Sequence, residues 1–504
     1  MSSIKSLAGQ TVWYGASSIA ARFLNYLLTP YLTLKLTGFG EYGDMSLVYA
    51  AIPFLNVIFT YGIETAYFRF SQKEEFKKDI YSTSSISIFG STIILSILLL
   101  LSHTTFAHWL QLDKHPEFIT YSTLIIAFDT LATLPFARLR QEGRPKKFAT
   151  IRIISILLTI GFTYFFISVC PRLVSNQPDG IVAKYFIKDY GVGYVIIANL
   201  IASIITLLLL SRELMSFRWN FNTKVWGQIM IYSLPLIIAG FGGMINETFD
   251  RIMLVWLAPV HGAGAAKNEV GIYSACYKLS LLISLFIQAF RMGAEPFFFK
   301  QSEGENPQRV YARVMKFFVI TITVMFLVVA LYLDLWKYFI RNESFWVGLK
   351  VVPILLLANM FLGIYYNLSI WYKLSNKTVS GAYITLIGAA LTLLINYFLI
   401  PYYSYMACAW ATFFCYGTMM VISYTWGQKA YPVPYPWKKL ISYIVIVVLI
   451  FFVHKGIIHF WPHKMFNLFT ACFLLLMYLL FLGRIERKEL PKLPIIGRLF
   501  KSNV

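Results

Sequence analysis

The chain has 504 residues, of which 58% are hydrophobic, 17% aromatic and only 13% charged. Soluble domains are about 45–50% apolar and about 25% charged, so this chain has too little polar surface to cover a water-soluble globule. Its net charge is +21, but the basic residues fall in short gaps between apolar runs rather than in one patch, which argues against a nucleic-acid partner. The composition predicts an all-α integral membrane protein.

Apolar runs of about 20 residues, the length that crosses a bilayer as a helix, recur along the whole chain. They predict about 14 transmembrane helices. The first seven lie at 8–34, 42–69, 81–103, 117–138, 149–170, 191–211 and 226–257. The second seven lie at 271–296, 310–333, 347–371, 379–400, 405–427, 439–459 and 465–483. No gap exceeds about 20 residues, which leaves no room for a folded extramembrane domain.

The Lys and Arg residues in the gaps predict the orientation, because cytoplasmic loops of membrane proteins are enriched in them. With a cytoplasmic N-terminus, the inner segments carry more than twice as many of these residues as the outer segments. Both termini are then cytoplasmic, and residues 484–504 form a basic cytoplasmic tail.

A short internal repeat organises the predicted helices. Glu41–Tyr49 and Glu269–Tyr277 share Glu, Gly, Ser and Tyr in the same register. The two segments open spans that are six helices apart and therefore enter the membrane in the same direction. This predicts two parallel six-helix halves at 1–211 and 226–427, followed by two additional helices at 439–483. Paired halves of this kind commonly enclose a cavity that opens to alternate sides of the membrane.

Ionisable side chains within the spans are expected to face a partner or a water-filled cavity, because a charge at bilayer depth costs at least about 2.5–3.5 kcal/mol. Arg22 and Asn25 share one face of the first span, and the repeat register aligns Arg22 with Asp250. For Arg22 and Arg291 the alternative to binding a ligand is a buried ion pair. The residues predicted to bind substrate in the cavity are Arg22, Asn25, Arg251, Lys278, Gln288 and Arg291.

Acidic residues in the spans are candidates for coupling transport to protons or sodium ions. They are Glu64, Asp129, Glu247, Asp250 and Glu295. A fixed pair with arginine is the alternative for Asp129, Glu247 and Asp250, and a structural partnership with a neighbouring basic residue is the alternative for Glu64 and Glu295. Arg69 and Arg152 are expected to extend to the inner membrane interface.

Motifs for catalysis and cofactor binding are missing from the sequence. There is no GxxxxGK[ST] loop, DxD pair, HExxH or GxSxG motif. The five cysteines form no CxxC pair, and the spacing of His454, His459 and His463 fits no standard metal site. The sequence therefore predicts a protein that is not an enzyme and has no catalytic residues, cofactor or metal.

Several short segments carry a resemblance to a known family. They are Gly38–Gly43, Tyr61–Phe70, Ser233–Pro235, Asp250–Leu254, Val270–Tyr273 and Ala289–Phe297. With the 14-helix layout, they resemble the bacterial polysaccharide-biosynthesis (O-antigen type) flippases of the multidrug/oligosaccharidyl-lipid/polysaccharide exporter superfamily.

The resemblance implies a transporter of the bacterial inner membrane. It would move an undecaprenyl-pyrophosphate-linked oligosaccharide to the outer leaflet for lipopolysaccharide O-antigen or other surface polysaccharide, by alternating access driven by an ion gradient. The expected partners are this lipid-linked oligosaccharide, membrane lipids, a proton or sodium ion, and glycan-assembly proteins. Arginine suits the pyrophosphate, because its guanidinium binds phosphate oxygens bidentately.

Three other functions remain open from the sequence. A cation-coupled drug or metabolite antiporter of the same superfamily would need an acidic cavity, whereas the spans contain an excess of Arg and Lys. A membrane glycosyltransferase or polymerase would need an acidic loop at the membrane edge, for which the outer gaps offer little space. A flippase for the peptidoglycan precursor is chemically close to the leading hypothesis.

Overall fold

The structure is a computed structural model that describes residues 19–20, 22–36, 38, 40–71, 73–259, 263–302, 305–375 and 377–487. The described residues form helices and no strand. Thirteen helices among them are long and apolar enough to cross a membrane. The predicted first span is described only from residue 19, and most of the predicted basic tail at 484–504 lies outside the described residues.

We number the helices in chain order. The first seven are α1 (Thr29–Lys35, preceded by helical residues 22–27), α2 (Glu41–Thr60, continued by Ile63–Phe70), α3 (Ile80–Leu101), α4 (Glu117–Gln141), α5 (Pro145–Tyr164), α6 (Gly191–Leu209) and α7 (Thr223–Leu257). The others are α8 (Ala263–Gln301), α9 (Pro307–Ala330), α10 (Val352–Leu368), α11 (Thr378–Tyr403), α12 (Tyr405–Ala430), α13 (Trp437–Phe460) and α14 (Lys464–Ile485).

The prediction of an all-α, multi-pass membrane protein is confirmed, and the last 13 predicted spans each coincide with a membrane-spanning helix. The largest boundary error is at α8, which begins at Ala263 rather than at residue 271. The polar residues before position 271 are expected from the sequence to lie in the gap between the two predicted spans. Lys267 is instead neutralised within the fold by an ion pair with Asp44, which lets the helix continue through them.

Helix α2 changes direction near its end. Tyr61 and Gly62 have φ angles of 34° and 72°, so the helix stops and restarts at Ile63. A side chain at Gly62 would be strained at this φ and would lie about 3.1 Å from Leu236 of α7. The bend brings the last turns of α2 against the first turns of α7, where Ile63 and Ile229 are fully buried.

Helices α2 and α8 cross with their backbones in contact near Leu36 and Gly40, and we call this side of the bundle the 36–40 end. A Cβ atom added to Gly43 would lie 1.9 Å from the carbonyl oxygen of Lys267. A Cβ added to Gly271 would lie 3.2 Å from the backbone nitrogen of Gly43. Lys267 Nζ also lies 2.8 Å from Asp44 Oδ1, and both side chains are largely buried. Helices α2 and α8 are therefore packed tightly against each other at the 36–40 end.

The last two helices pack against α9 and are fixed by a buried carboxylate at the opposite end of the bundle. Glu486, directly after α14, is 2% exposed. It accepts hydrogen bonds from Lys316 Nζ at 2.9 Å and from Tyr443 Oη at 2.6 Å, and it forms an ion pair with Lys439. Burial alone would raise the pKa of the Glu486 carboxyl, but the hydrogen bonds from Lys439, Tyr443 and Lys316 hold this pKa below its usual value.

Gly43→Ala tests the backbone contact between α2 and α8. Because the new methyl group would overlap the Lys267 carbonyl, we expect the substitution to lower the free energy of unfolding by about 1–3 kcal/mol. The melting temperature of the detergent-purified protein measures this loss. Gly90→Ala in α3 is the matched control, since a Cβ there would meet no atom within 4 Å. Equal melting temperatures for the two variants would contradict the close contact.

Glu486→Gln tests the buried carboxylate through its pH dependence. A carboxyl whose pKa is lower in the folded state stabilises the fold above its unfolded pKa of about 4.3, and this contribution is lost as the pH falls through the folded value. We therefore expect the variant to melt below the wild type at pH 7, with the gap closing as the pH falls toward 3. Glu74→Gln, at a side chain that is 84% exposed, should show no such gap. A gap that stays constant with pH would contradict the assignment.

Candidate functional site

A cavity of about 790 Å³ lies among helices α1, α2, α4, α5, α6, α7 and α8. It extends along α2 from Tyr42 to Glu64, which is about 30 Å of helix at 1.5 Å per residue. Its volume falls in the range of sites that hold small organic ligands, about 300–1,000 Å³. Most of its wall comes from the first span, α2 and α4–α6, and α7 and α8 close one side.

Basic side chains from five helices line this cavity. They are Arg22, Arg140, Arg152, Arg251 and Lys278. Arg22 donates a hydrogen bond from Nη1 to the neutral side chain of Gln288, which ties the first span to α8. Lys278 lies one turn after Ser274 on α8, and its ammonium group has no hydrogen-bond or ion-pair partner among the described residues. Asn25 also lines the cavity, one turn after Arg22.

Arg251 is a paired cation. Its Nη1 atom lies 3.0 Å from Asp250 Oδ1, and its guanidinium lies 4.4 Å from the centre of the Tyr277 ring. The other carboxylate oxygen of Asp250 accepts a hydrogen bond of 2.6 Å from Tyr273 Oη. Asp250 is 4% exposed and does not line the cavity. The geometry is therefore that of a buried ion pair with both carboxylate oxygens occupied.

Three carboxylates line the cavity. Glu64 forms an ion pair with Arg140. Asp129 and Glu247 are both exposed to the cavity, and neither lies within ion-pairing distance of a cation in the described part of the chain. Arg152 is close enough to attract Asp129 electrostatically. Setting aside the two ion pairs, the cavity wall contains three cations and two carboxylates.

Arg152 occupies a different place from the one expected for it. From the sequence, Arg69 and Arg152 are both expected to extend to the inner membrane interface. Arg69 is exposed outside the cavity, over the ring of Tyr232 at 4.4 Å. Arg152 lines the cavity, with its guanidinium 4.2 Å from the centre of the Phe136 ring. Distance from the end of a span does not determine which face a residue occupies.

The sequence contains a pattern that indicates the cavity-facing position of Arg152. Arg152, Ser155 and Thr159 are spaced three and four residues apart, which places them on one polar face of α5, and all three line the cavity. Arg140 was missed for another reason. It lies in the gap after the span predicted at 117–138, where Lys and Arg residues indicate orientation, and nothing in the sequence indicates its ion pair with Glu64.

Arg291 does not line this cavity. It lines a small pocket between α8 and α10, where its guanidinium lies 4.6 Å from the centre of the Tyr366 ring. The side chain of Glu295 lies outside the described part of the structure. The described residues contain no cluster of three or more His, Cys, Asp or Glu side chains that could hold a metal ion.

These features define a polytopic membrane protein with a charged cavity at the centre of a helical bundle, and solved structures show the same fold. A structure titled "Lipid II flippase MurJ, inward closed conformation" aligns with a TM-score of 0.72 at 16% identity, covering 95% of this chain and 99% of that one. An outward-facing multidrug resistance MATE family transporter of the MOP superfamily aligns with a TM-score of 0.53 at 12% identity, covering 83% and 94%. At these identities the likeness establishes the fold alone.

The family is established by sequence. The family described as "Polysaccharide biosynthesis protein" matches residues 7–302, which is more than half of the chain. The chain belongs to this family, as its motifs predicted. Comparison with curated proteins finds no significant match.

Asp250→Asn tests whether Asp250 neutralises Arg251. Because the change leaves a buried guanidinium without its counter-charge, we expect a loss of about 3–5 kcal/mol in the free energy of unfolding. Glu247→Gln is the matched control, since this carboxylate faces the cavity without an ion pair and should change stability by less than about 0.5 kcal/mol. Thermal unfolding in detergent distinguishes the two, and a larger loss for Glu247→Gln would contradict the assignment.

Proposed function

We propose that this protein is a flippase that moves an undecaprenyl-pyrophosphate-linked oligosaccharide from the cytoplasmic to the outer leaflet of the bacterial inner membrane, for surface polysaccharide biosynthesis. The observation that carries the proposal is the set of cavity-facing cations without a carboxylate within ion-pairing distance, namely Arg22, Arg152 and Lys278. The family membership supports the same substrate class.

The physical basis is the cost of taking a charged head group across the hydrocarbon core. The lipid tail can stay in the bilayer, whereas the pyrophosphate and sugars need a hydrated, polar path. Guanidinium and ammonium groups that face a cavity replace the lost hydration of the phosphates with charge-assisted hydrogen bonds. An exporter of organic cations would instead require a cavity with more carboxylates than basic side chains.

We further propose that the two halves at 1–211 and 226–427 move against each other during transport. Gly43 and Gly271, which are equivalent in the repeat, contact each other where α2 and α8 cross. Contact between equivalent residues is what a two-fold axis between matched halves requires. Two further equivalent pairs, Ser46 with Ser274 and Tyr49 with Tyr277, line the same cavity. In this proposal the 36–40 end faces outward, both termini are cytoplasmic, and the crossing opens when the head group is released.

Glu247 is the carboxylate that we propose for coupling to a proton or sodium ion. It faces the cavity without an ion pair, on the helix that also holds the Asp250–Arg251 pair. Asp250 and Glu64 are less suited, because each already forms an ion pair with an arginine. The proposal requires no catalytic residue, cofactor or resident metal.

Transport by purified protein in proteoliposomes tests the proposal. We expect Arg22→Gln and Lys278→Gln each to lower the rate of translocation of a fluorescent polyprenyl-diphosphate oligosaccharide about 10–100-fold, which corresponds to the loss of one charge-assisted hydrogen bond of about 1.5–3 kcal/mol. Arg69→Gln is the control, since that side chain lies outside the cavity. Wild-type rates in both cavity variants, or translocation of organic cations instead, would contradict the proposal.

A further inference from the structure

Helices α4, α5 and α6 contribute six neutral polar side chains to the wall of the cavity. We define the α4–α6 wall by its cavity-facing polar residues, Asp129, Thr133, Arg140, Arg152, Ser155, Thr159, Asn199, Ser203 and Thr206. We infer that this wall binds the sugar part of the substrate, whereas Arg22 and Lys278 bind the pyrophosphate. The inference rests on the proposed function and assigns a second subsite within the same cavity.

The α4–α6 wall has hydrogen-bonding capacity that the protein itself does not use. Thr133, Thr159 and Thr206 donate their hydroxyl protons to carbonyl groups of their own helices, at 3.1, 3.0 and 2.7 Å. Each hydroxyl oxygen keeps an acceptor site that faces the cavity. Asn199 donates to Tyr49 Oη at 3.4 Å and retains its carbonyl oxygen as an acceptor. The wall therefore offers several acceptors for sugar hydroxyl protons, and Arg152 supplies donors.

Polar groups at this depth require hydrogen-bond partners from water or from a ligand wherever the protein leaves a donor or acceptor site unused. The wall lies within membrane-spanning helices, where an unsatisfied polar group is costly. Asp129 makes no ion pair among the described residues, and its carboxylate interacts with the Ser203 hydroxyl of α6 across the wall. A carboxylate beside hydroxyl, amide and guanidinium groups is suited to bind a polyhydroxylated ligand bidentately.

The two subsites lie on different helices. Arg22 is tied to α8 through Gln288, and Lys278 is itself on α8. In the α4–α6 wall the charge of Arg140 is balanced by its ion pair with Glu64 of α2, and the charges of Arg152 and Asp129 cancel. A neutral wall next to a cationic edge matches a substrate whose charge is confined to its pyrophosphate. The sugar class that fits best is uncharged and rich in hydroxyl and acetamido groups.

Binding of two probes to the purified full-length protein separates the subsites. The probes are farnesyl diphosphate and a farnesyl-diphosphate-linked N-acetylglucosamine, with Kd measured by thermophoresis in detergent. We expect Asp129→Asn and Ser203→Ala to weaken binding of the sugar-bearing probe about 5–10-fold and to change Kd for the bare diphosphate less than 2-fold. Arg22→Gln should weaken both probes by the same factor. Melting temperatures identify any variant that has lost its fold, and Ser203→Ala removes only one hydroxyl group.

Each remaining outcome decides a different claim. Equal weakening of both probes by Asp129→Asn would overturn the sugar subsite, and so would equal wild-type affinity for the two probes. Neither of those results would affect the proposed function. A wild-type protein that binds neither probe would overturn the proposed function together with the subsite.

Discussion

The central constraint on this structure is that an ionised side chain within a bilayer must have either a counter-charge or water. The fold meets this requirement in two ways. Arg251 with Asp250, and Lys267 with Asp44, are neutralised within the packed protein. Arg22, Arg152 and Lys278 instead face a cavity of about 790 Å³. Charges of the first kind hold helices together, and charges of the second kind are available to a ligand.

The acidic residues of the spans divide in the same way into paired and unpaired carboxylates, although the sequence does not distinguish the two groups. Asp250 and Glu64 are bonded to arginines, whereas Asp129 and Glu247 face the cavity. The cavity thus has a cationic edge on α1 and α8 and a polar wall on α4–α6. Near one end of the cavity, the absence of side chains at Gly43 and Gly271 lets α2 and α8 touch through their backbones.

The fold was largely predictable, because runs of apolar residues identify membrane helices almost independently of tertiary contacts. Four of the six predicted substrate-binding residues, Arg22, Asn25, Arg251 and Lys278, line the cavity. Arg291 lies in a separate pocket, because the depth of a residue does not determine the helix face it occupies in the packed bundle. The ion pairs are the other feature that the sequence does not predict. The partners of Arg140 and Lys267 lie on distant helices, and no local pattern indicates them.

The most direct test of the account is an experimental structure of the protein bound to a polyprenyl-diphosphate oligosaccharide. The account predicts density for the diphosphate within hydrogen-bonding distance of Arg22 and Lys278, inside the central cavity. A diphosphate bound elsewhere on the protein, with these two side chains still directed into an empty cavity, would contradict it.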